Sequence, residues 1–137
     1  MISLFLSSFF NTAQISCVEE AVFFESRGEP LQGQMYVANV IQNRASHKGF
    51  PNDYCSVVHQ KHQFTYRVDK KKYEEEPKAK LKAKFVAYSS QILPRLLPEN
   101  VVYYTANRVK YFEGKRGIQP YSTLGGHTFY QEVRVNG

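Results

Sequence analysis

The sequence of 137 residues lacks several features that define common protein classes. It contains no tryptophan and two cysteines, which is too few for a scaffold built on several disulfides. No apolar run approaches the roughly 20 residues that a membrane-spanning helix needs. Internal repeats, low-complexity segments and interdomain linkers are also absent from the sequence. We therefore expect a single domain over residues 1–137.

The short motifs of several enzyme classes are missing too. There is no Gly-x-Ser-x-Gly elbow for a nucleophilic serine, and no glycine-rich phosphate loop. No cluster of histidine and cysteine has the spacing of metal ligands, so we expect no metal site and no cofactor. Cys17 and Cys55 are interpreted as two buried thiols, with a single bridge in an oxidising compartment as the alternative.

The sequence is rich in apolar residues and carries a net positive charge. Hydrophobic residues make up 42% and aromatic residues 15%, enough to bury a core. The formal net charge is +6, which favours an anionic partner such as nucleic acid, a membrane surface or a wall polymer. Most of this charge lies in residues 61–84, which contain nine lysines and arginines but only four acidic residues.

Two helices are predicted around a polar turn. The first begins at Asn11 or Thr12 and ends near Ser26, and the second covers residues 31–46. Gly28 and Pro30 separate them. The apolar positions of the first helix fall on one side, and Glu25 falls on that same side. The second helix is apolar nearly all round, which is typical of a helix at the centre of a fold.

The rest of the chain predicts one more long helix and some strands. Leu81, Phe85, Tyr88 and Ile92 recur at helical spacing after Pro77, which predicts a helix that ends near Ile92. Residues 54–59 fit a short helix or strand. Residues 101–105 and 128–135 read as strands, the latter after a tight turn at residues 125–126. The pattern predicts an α+β fold.

Glu25 is the candidate for acid chemistry. A carboxyl at the end of an apolar helix face is partly desolvated, and desolvation raises its pKa. A carboxyl that keeps its proton can donate it to a glycosidic oxygen. Glu29, Arg27 and Gly28 are interpreted as structural at the site. Glu29 stands just before Pro30, where a carboxylate can meet the free N–H groups of the second helix.

Further polar and aromatic side chains are candidates for binding sugars. Gln34 and Asn39 can bind hydroxyl and acetamido groups, or can satisfy buried backbone instead. His127 follows two glycines and can reach a cleft. The remaining candidates are aromatic or lie beside an aromatic residue, and they could line a saccharide groove: Gln63, Phe64, Tyr66 and Tyr104.

These residues form a series that resembles the SleB-type cell-wall hydrolases, a family that includes spore cortex-lytic enzymes and some phage lysins. The core of the resemblance is Glu25-Ser26-Arg27-Gly28-Glu29. The matching pieces in order are residues 17–18, 21–30, 33–44, 50–51, 55–58 and 63–66, with a weaker echo at 103–104 and 126–130. Ser26 stands where the family usually has alanine, and the lysine-rich residues 67–84 form an insertion-like stretch that does not align with the family.

The resemblance implies a lysozyme-like domain that is helix-rich, with a small antiparallel sheet, and acts on peptidoglycan glycan strands. Members cleave between N-acetylmuramic acid and N-acetylglucosamine, often as lytic transglycosylases. Glu25 maps to the family's catalytic acid. A hydrolytic muramidase is the alternative within the family. A basic module that holds nucleic acid or another polyanion is the alternative outside it, although we expect no nucleic acid.

The resemblance and the architecture together predict a setting. We expect a monomeric catalytic domain without a separate wall-binding domain, acting on the bacterial cell wall in the periplasm. The lysine-rich stretch could itself hold anionic wall polymer or lipopolysaccharide. These features suit a phage endolysin, made in the host cytoplasm and released by a holin. Residues 1–10 are interpreted as a packed segment, with a cleaved signal as the alternative.

Overall fold

The computed structural model describes residues 11–60, 68–107 and 109–135. The predicted sites Gln63, Phe64 and Tyr66 and the apolar residues 1–10 lie outside these ranges. The described elements are helices α1 (Thr12–Ser26), α2 (Leu31–Ala45), α3 (Tyr54–Val58), α4 (Lys70–Glu75) and α5 (Pro77–Ile92), followed by strands β1 (Val101–Ala106), β2 (Ile118–Leu124) and β3 (His127–Glu132). The predicted α+β class is confirmed.

Helix α1 begins and ends where its sequence predicts. The Asn11 side chain accepts a hydrogen bond from the backbone N–H of Gln14 at 3.2 Å and so caps the helix. Ile15, Val18 and Val22 are buried on the side that faces the core. Glu25 continues this side in the last turn, and its residue is only partly exposed.

Helix α2 occupies the centre of the fold, and its polar side chains bond to the elements around it. Gln42 donates to the carbonyl of Ser90 at 2.7 Å. Asn43 donates to the carbonyl of Val101 at 2.9 Å, and Arg44 Nε donates to the carbonyl of Val102 at 2.7 Å. These bonds fix α5 and β1 against α2.

The lysine-rich segment forms two helices rather than one. Asp69 caps α4, which ends before Pro77 starts α5. Tyr73 holds α4 on α1, because its hydroxyl donates to the Glu19 carboxylate and its ring lies 4.6 Å from that of Phe23. The sequence predicts α5 correctly but does not predict the separate α4.

Helix α5 buries small side chains and leaves its large ones outside. The buried positions are Ala83, Val86, Ala87 and Ser90. Of the residues whose spacing predicts the helix, Leu81, Phe85 and Ile92 are 68%, 59% and 67% exposed. The helix therefore has an apolar face that the described core does not use.

The three strands form one antiparallel sheet in the order β1-β3-β2. A hairpin turn at Gly125 joins β2 to β3, and Gly125 has a φ of +58°, which favours glycine. The sequence predicts β1 and β3 but not β2. Pro120 lies in β2, and proline is confined to edge strands such as this one. Among the described residues, no helix is long and apolar enough to cross a membrane.

The interpretation of the two cysteines as free thiols is wrong. Cys17 in α1 and Cys55 in α3 form a disulfide, with their Cα atoms 5.2 Å apart. The spacing in sequence could not show this, because 38 positions separate them and only the fold brings them together. The bridge closes a loop that contains the whole of α2 and the turn before it.

Opening this bridge should lower stability considerably. For a loop of this length, chain entropy accounts for about 4 kcal/mol of stabilisation. The variant Cys17→Ser/Cys55→Ser should lose about that free energy of unfolding in urea titrations. Reductant should destabilise the parent by a similar amount and leave the double variant unchanged. Equal stability of oxidised and reduced parent would show that the bridge contributes nothing.

Candidate active site

The candidate acid, Glu25, is held by a residue from the sheet. Tyr104 in β1 donates its hydroxyl to Glu25 Oε1 at 2.8 Å. These residues are 79 positions apart, and the packing of β1 on α2 brings Tyr104 to the end of α1. The structure thus brings together two of the predicted site residues, an acid and an aromatic side chain.

The environment of Glu25 favours its protonated form. Burial is the largest influence and raises its pKa above the ordinary value of 4.5. The hydrogen bond from Tyr104 and the positive charge of Arg44 lower the pKa, but less than burial raises it. A carboxyl in this state can donate a proton at a pH where an exposed glutamate has already lost it.

Arg44 is a member of this site that the sequence reasoning did not select. Its side chain is buried at the end of α2, and burial lowers its pKa. The guanidinium carbon lies 5.0 Å from the Phe50 ring centre and 5.9 Å from that of Tyr103. A charged residue near the end of a helix that is predicted to lie at the centre of the fold was the available signal.

The Gln34 side chain binds the backbone of the turn between α1 and α2. Its side-chain amide donates to the carbonyls of Glu29 at 3.2 Å and Arg27 at 3.4 Å. The side chain is 1% exposed. The prediction that Gln34 contacts sugar is therefore corrected, because its amide nitrogen is buried against the turn and is used there.

Asn39 is also corrected. It is 1% exposed, and its side-chain amide donates to Gln42 Oε1 at 2.9 Å. Its oxygen accepts from the backbone N–H of Leu96 at 2.9 Å and of Leu97 at 3.4 Å. Asn39 thus satisfies backbone N–H groups of the loop after α5, which is the alternative to sugar binding that the sequence left open.

Glu29 does not cap α2. Its Oε1 accepts a hydrogen bond from the backbone N–H of Gly126 at 2.6 Å and lies 3.6 Å from Nδ1 of His127. The carboxylate therefore joins the turn of α1–α2 to the β2–β3 hairpin. A Cβ on Gly125 would lie 2.3 Å from Glu29 Oε1, so any other residue at this position would force the carboxylate to shift.

His127 lies between Tyr104 in β1 and Glu29 in the turn between α1 and α2. Its ring centre is 5.1 Å from that of Tyr104, with the planes at 82°. Burial lowers its pKa, and the nearby Glu29 charge opposes this. His127 thus packs against Tyr104, the residue that holds Glu25, and its contact with a ligand stays a prediction.

The lysine-rich segment also contacts the turn between α1 and α2. Arg27 forms an ion pair with Glu76 at 3.2 Å and lies over the Phe23 ring. Lys82 Nζ reaches the carbonyl of Glu29 at 3.5 Å. Gly28 is exposed, and a Cβ there would meet nothing within 4 Å, so the described structure places no steric demand for glycine at this position.

An aromatic cleft of about 520 Å³ adjoins Tyr104. Tyr103 and Phe112 line it with ring centres 5.0 Å apart, and Lys115 lies over the ring of Tyr111 at its rim. Aromatic faces of this kind can pack against apolar faces of a ligand. The sequence reasoning did not select Tyr111 and Phe112, although two adjacent aromatic residues before a basic turn were a signal.

A helical core, a small antiparallel sheet and a half-buried acid at the end of α1 define a lysozyme-like domain. Two solved structures share this fold. They are the catalytic domain of the Bacillus cereus SleB protein (26% identity, TM-score 0.65, 85% of this chain and 88% of that chain) and that of the germination-specific lytic transglycosylase SleB of Bacillus anthracis (25% identity, TM-score 0.64, 86% and 93%).

The chain belongs to the Cell Wall Hydrolase family, whose model matches residues 28–130. Spore cortex-lytic enzymes of Bacillus cereus (44% identity over 55 residues) and Bacillus subtilis (38% over 60 residues) are similar to it. These segments cover 40% and 44% of this chain but only 21% and 20% of the relatives. The SleB-type resemblance is confirmed. The family match begins just after Glu25, so it does not identify the acid.

The contact between Glu29 and the hairpin can be tested with two glycines. Gly114 and Gly125 both have positive φ, but a Cβ would meet nothing within 4 Å at Gly114. Gly114→Ala should cost about 1–2 kcal/mol through backbone strain alone. Gly125→Ala should cost about 1.5–3 kcal/mol more, because Glu29 must leave Gly126. Equal losses in chemical denaturation would contradict the contact.

The raised pKa of Glu25 predicts a pH-dependent effect on stability. Above pH 4.5 the unfolded chain releases this proton more readily than the folded one, so stability falls as pH rises through the folded pKa. Glu25→Gln removes this cost. The variant should be more stable than the parent at neutral pH, and the advantage should disappear below pH 4.5.

Urea titrations across this pH range provide the measurement. The exposed Glu99 supplies a matched control, because Glu99→Gln removes a carboxylate that is not buried. That variant should be about as stable as the parent at neutral pH. A Glu25→Gln variant that is less stable than the parent at neutral pH would show that its carboxylate is not destabilised by burial.

Proposed function

We propose that this chain is a peptidoglycan hydrolase that cleaves the glycosidic bond between N-acetylmuramic acid and N-acetylglucosamine. The observation that carries the proposal is the setting of Glu25, a half-buried acid with a raised pKa. It is held by Tyr104, and Tyr104 also lines an aromatic cleft. Membership of the Cell Wall Hydrolase family supports it. So does the likeness to a germination-specific lytic transglycosylase.

In the proposed mechanism Glu25 acts twice. It first donates its proton to the bridging oxygen, so that the bond from the muramic acid C1 to that oxygen breaks and N-acetylglucosamine leaves with a new hydroxyl. The resulting carboxylate then accepts the proton of the muramic acid 6-hydroxyl. That oxygen attacks C1 and closes a 1,6-anhydro ring, so no water is consumed and Glu25 regains its proton.

This mechanism requires one acid, and the contacts of Glu29 favour it over a mechanism with two. Retaining and inverting glycosidases use a second carboxylate as nucleophile or base. The Glu29 carboxylate accepts from Gly126 and lies beside His127, so it would have to leave the hairpin to serve as one. We therefore infer that Glu29, with Arg27, positions the turn that carries Glu25.

The proposed substrate contacts lie around the cleft. Tyr104 positions the acid with its hydroxyl and presents its ring to the glycan, and His127 packs behind it. Gln63, Phe64 and Tyr66 stay predictions as further binding residues. We propose a monomeric enzyme of phage origin that reaches the periplasmic wall through a holin lesion. The Cys17–Cys55 bridge suits an oxidising compartment of that kind.

The muramidase alternative uses the same acid but lets water attack C1. Digestion of purified peptidoglycan followed by mass spectrometry separates the two, because an anhydro product is lighter than a reducing-end product by one water. We expect anhydro muropeptides. Reducing-end products alone would assign the chain as a muramidase and leave the role of Glu25 intact.

Glu25→Gln tests the acid itself. The amide cannot donate a proton to the leaving oxygen, so the rate of clearing of purified peptidoglycan should fall by at least about 10²-fold. Glu99→Gln should clear at the parent rate. Circular dichroism and a thermal melt check that both variants are folded. A folded Glu25→Gln variant with near-normal clearing would refute the assignment.

A further inference from the structure

Helix α5 carries an apolar surface that is separate from the cleft. Five large side chains on the helix and just after it are exposed, and we call them the outer stripe. They are Leu81 (68% exposed), Phe85 (59%), Ile92 (67%), Leu93 (54%) and Leu96 (52%). Steps of four and seven residues separate the first three, so they lie along one line of the helix.

The described part of the fold does not bury these side chains. The opposite side of α5 packs on α1 and α2 through Ala83, Val86, Ala87 and Ser90. None of the described residues buries the outer stripe. Contiguous apolar surface of this kind is uncommon on a protein that meets only water, and it marks an interaction site.

The charges beside the outer stripe point to the kind of partner. Helix α5 contains four lysines and no acidic residue. At 100° per residue, Lys78 lies on one side of the stripe and Lys84 on the other, and both are exposed. Long lysine side chains at the edges of an apolar face can place their amines among anionic headgroups while the face is buried.

We propose that α5 docks on the surface of an anionic phospholipid bilayer. The outer stripe enters the boundary between headgroups and acyl chains, and the flanking lysines bind lipid phosphates. The helix lies on the membrane and does not cross it. A second copy of this chain fits less well, because stripe-to-stripe pairing would bring two rows of lysines together without an acid on either helix.

Docking in this way would also orient the enzyme. Lys82 of the same helix touches the backbone of Glu29. The N-terminal half of α5 therefore borders the turn between α1 and α2, next to Glu25. A docked molecule would hold this turn close to the bilayer. The proposal does not rest on the proposed function, because lipid binding by α5 requires no catalysis.

The absence of tryptophan from the sequence makes a direct test possible. Phe85→Trp places a single tryptophan in the outer stripe of the full chain. Vesicles of equal parts phosphatidylcholine and phosphatidylglycerol should shift its emission to the blue, and brominated acyl chains should quench it. Tyr121→Trp, at an exposed position in β2, should show neither change. Equal responses at both positions, or none at Phe85→Trp, would overturn the proposal.

Co-sedimentation separates the lipid from other partners. Leu81→Ser/Phe85→Ser/Ile92→Ser should reduce binding to the same vesicles by at least about tenfold, since it removes the apolar side chains that would insert. Pure phosphatidylcholine vesicles should bind the parent more weakly. Binding that survives the triple substitution but is lost in Lys78→Glu would indicate a polyanion site only and overturn the proposal.

Two controls complete the test. The triple variant should clear lipid-free peptidoglycan at the parent rate, because its side chains lie outside the cleft. Loss of lipid binding with full clearing is therefore distinct from failure of the proposed enzyme. Sedimentation without lipid should show a monomer. A dimer that the triple substitution abolishes would assign the outer stripe to self-association and overturn membrane docking.

Discussion

The fold depends on buried polar side chains of α2 that bond to the backbone of neighbouring elements. Asn43 and Arg44 hold the first two residues of β1, and Asn39 and Gln42 hold the end of α5 and the loop after it. A buried amide or guanidinium without a partner costs free energy, so each side chain accepts few alternative arrangements. The register of β1 on α2 follows from these bonds. Tyr104, two residues beyond Val102, is thereby brought to the carboxyl at the end of α1.

That arrangement sets the acidity of the site through opposing effects. Burial of Glu25 disfavours its anion, while the hydroxyl of Tyr104 and the charge of Arg44 favour it. Arg44 is itself buried, so its own charge is disfavoured, and the Glu25 anion would partly compensate it. The two groups are coupled, because protonation of Glu25 removes a partner of the cation. A site built in this way raises the pKa of an acid and still stabilises the carboxylate that forms once the proton has left.

Features set by residues close together in the sequence could be predicted, and contacts between residues far apart in the sequence could not. Helices α1 and α2 follow from local caps and apolar periodicity, and the same periodicity places Glu25 on the inner side of α1. The pairing of Cys17 with Cys55, the bond from Gly126 to Glu29 and the contact of Tyr73 with Glu19 join distant positions, and no local pattern encodes them. The errors at Gln34 and Asn39 have another cause. An amide that bonds to buried backbone and an amide that binds sugar look the same in sequence, and only burial separates them.

The lysine-rich segment, which does not align in the family resemblance, contacts the turn between α1 and α2. Glu25 lies in the last turn of α1, where a helix has few internal bonds to hold it. Glu76 pairs with Arg27, and Lys82 reaches the carbonyl of Glu29, so α4 and α5 supply contacts where the helix itself cannot. The same helix therefore leaves apolar side chains exposed on one face and contacts the turn next to Glu25 through another.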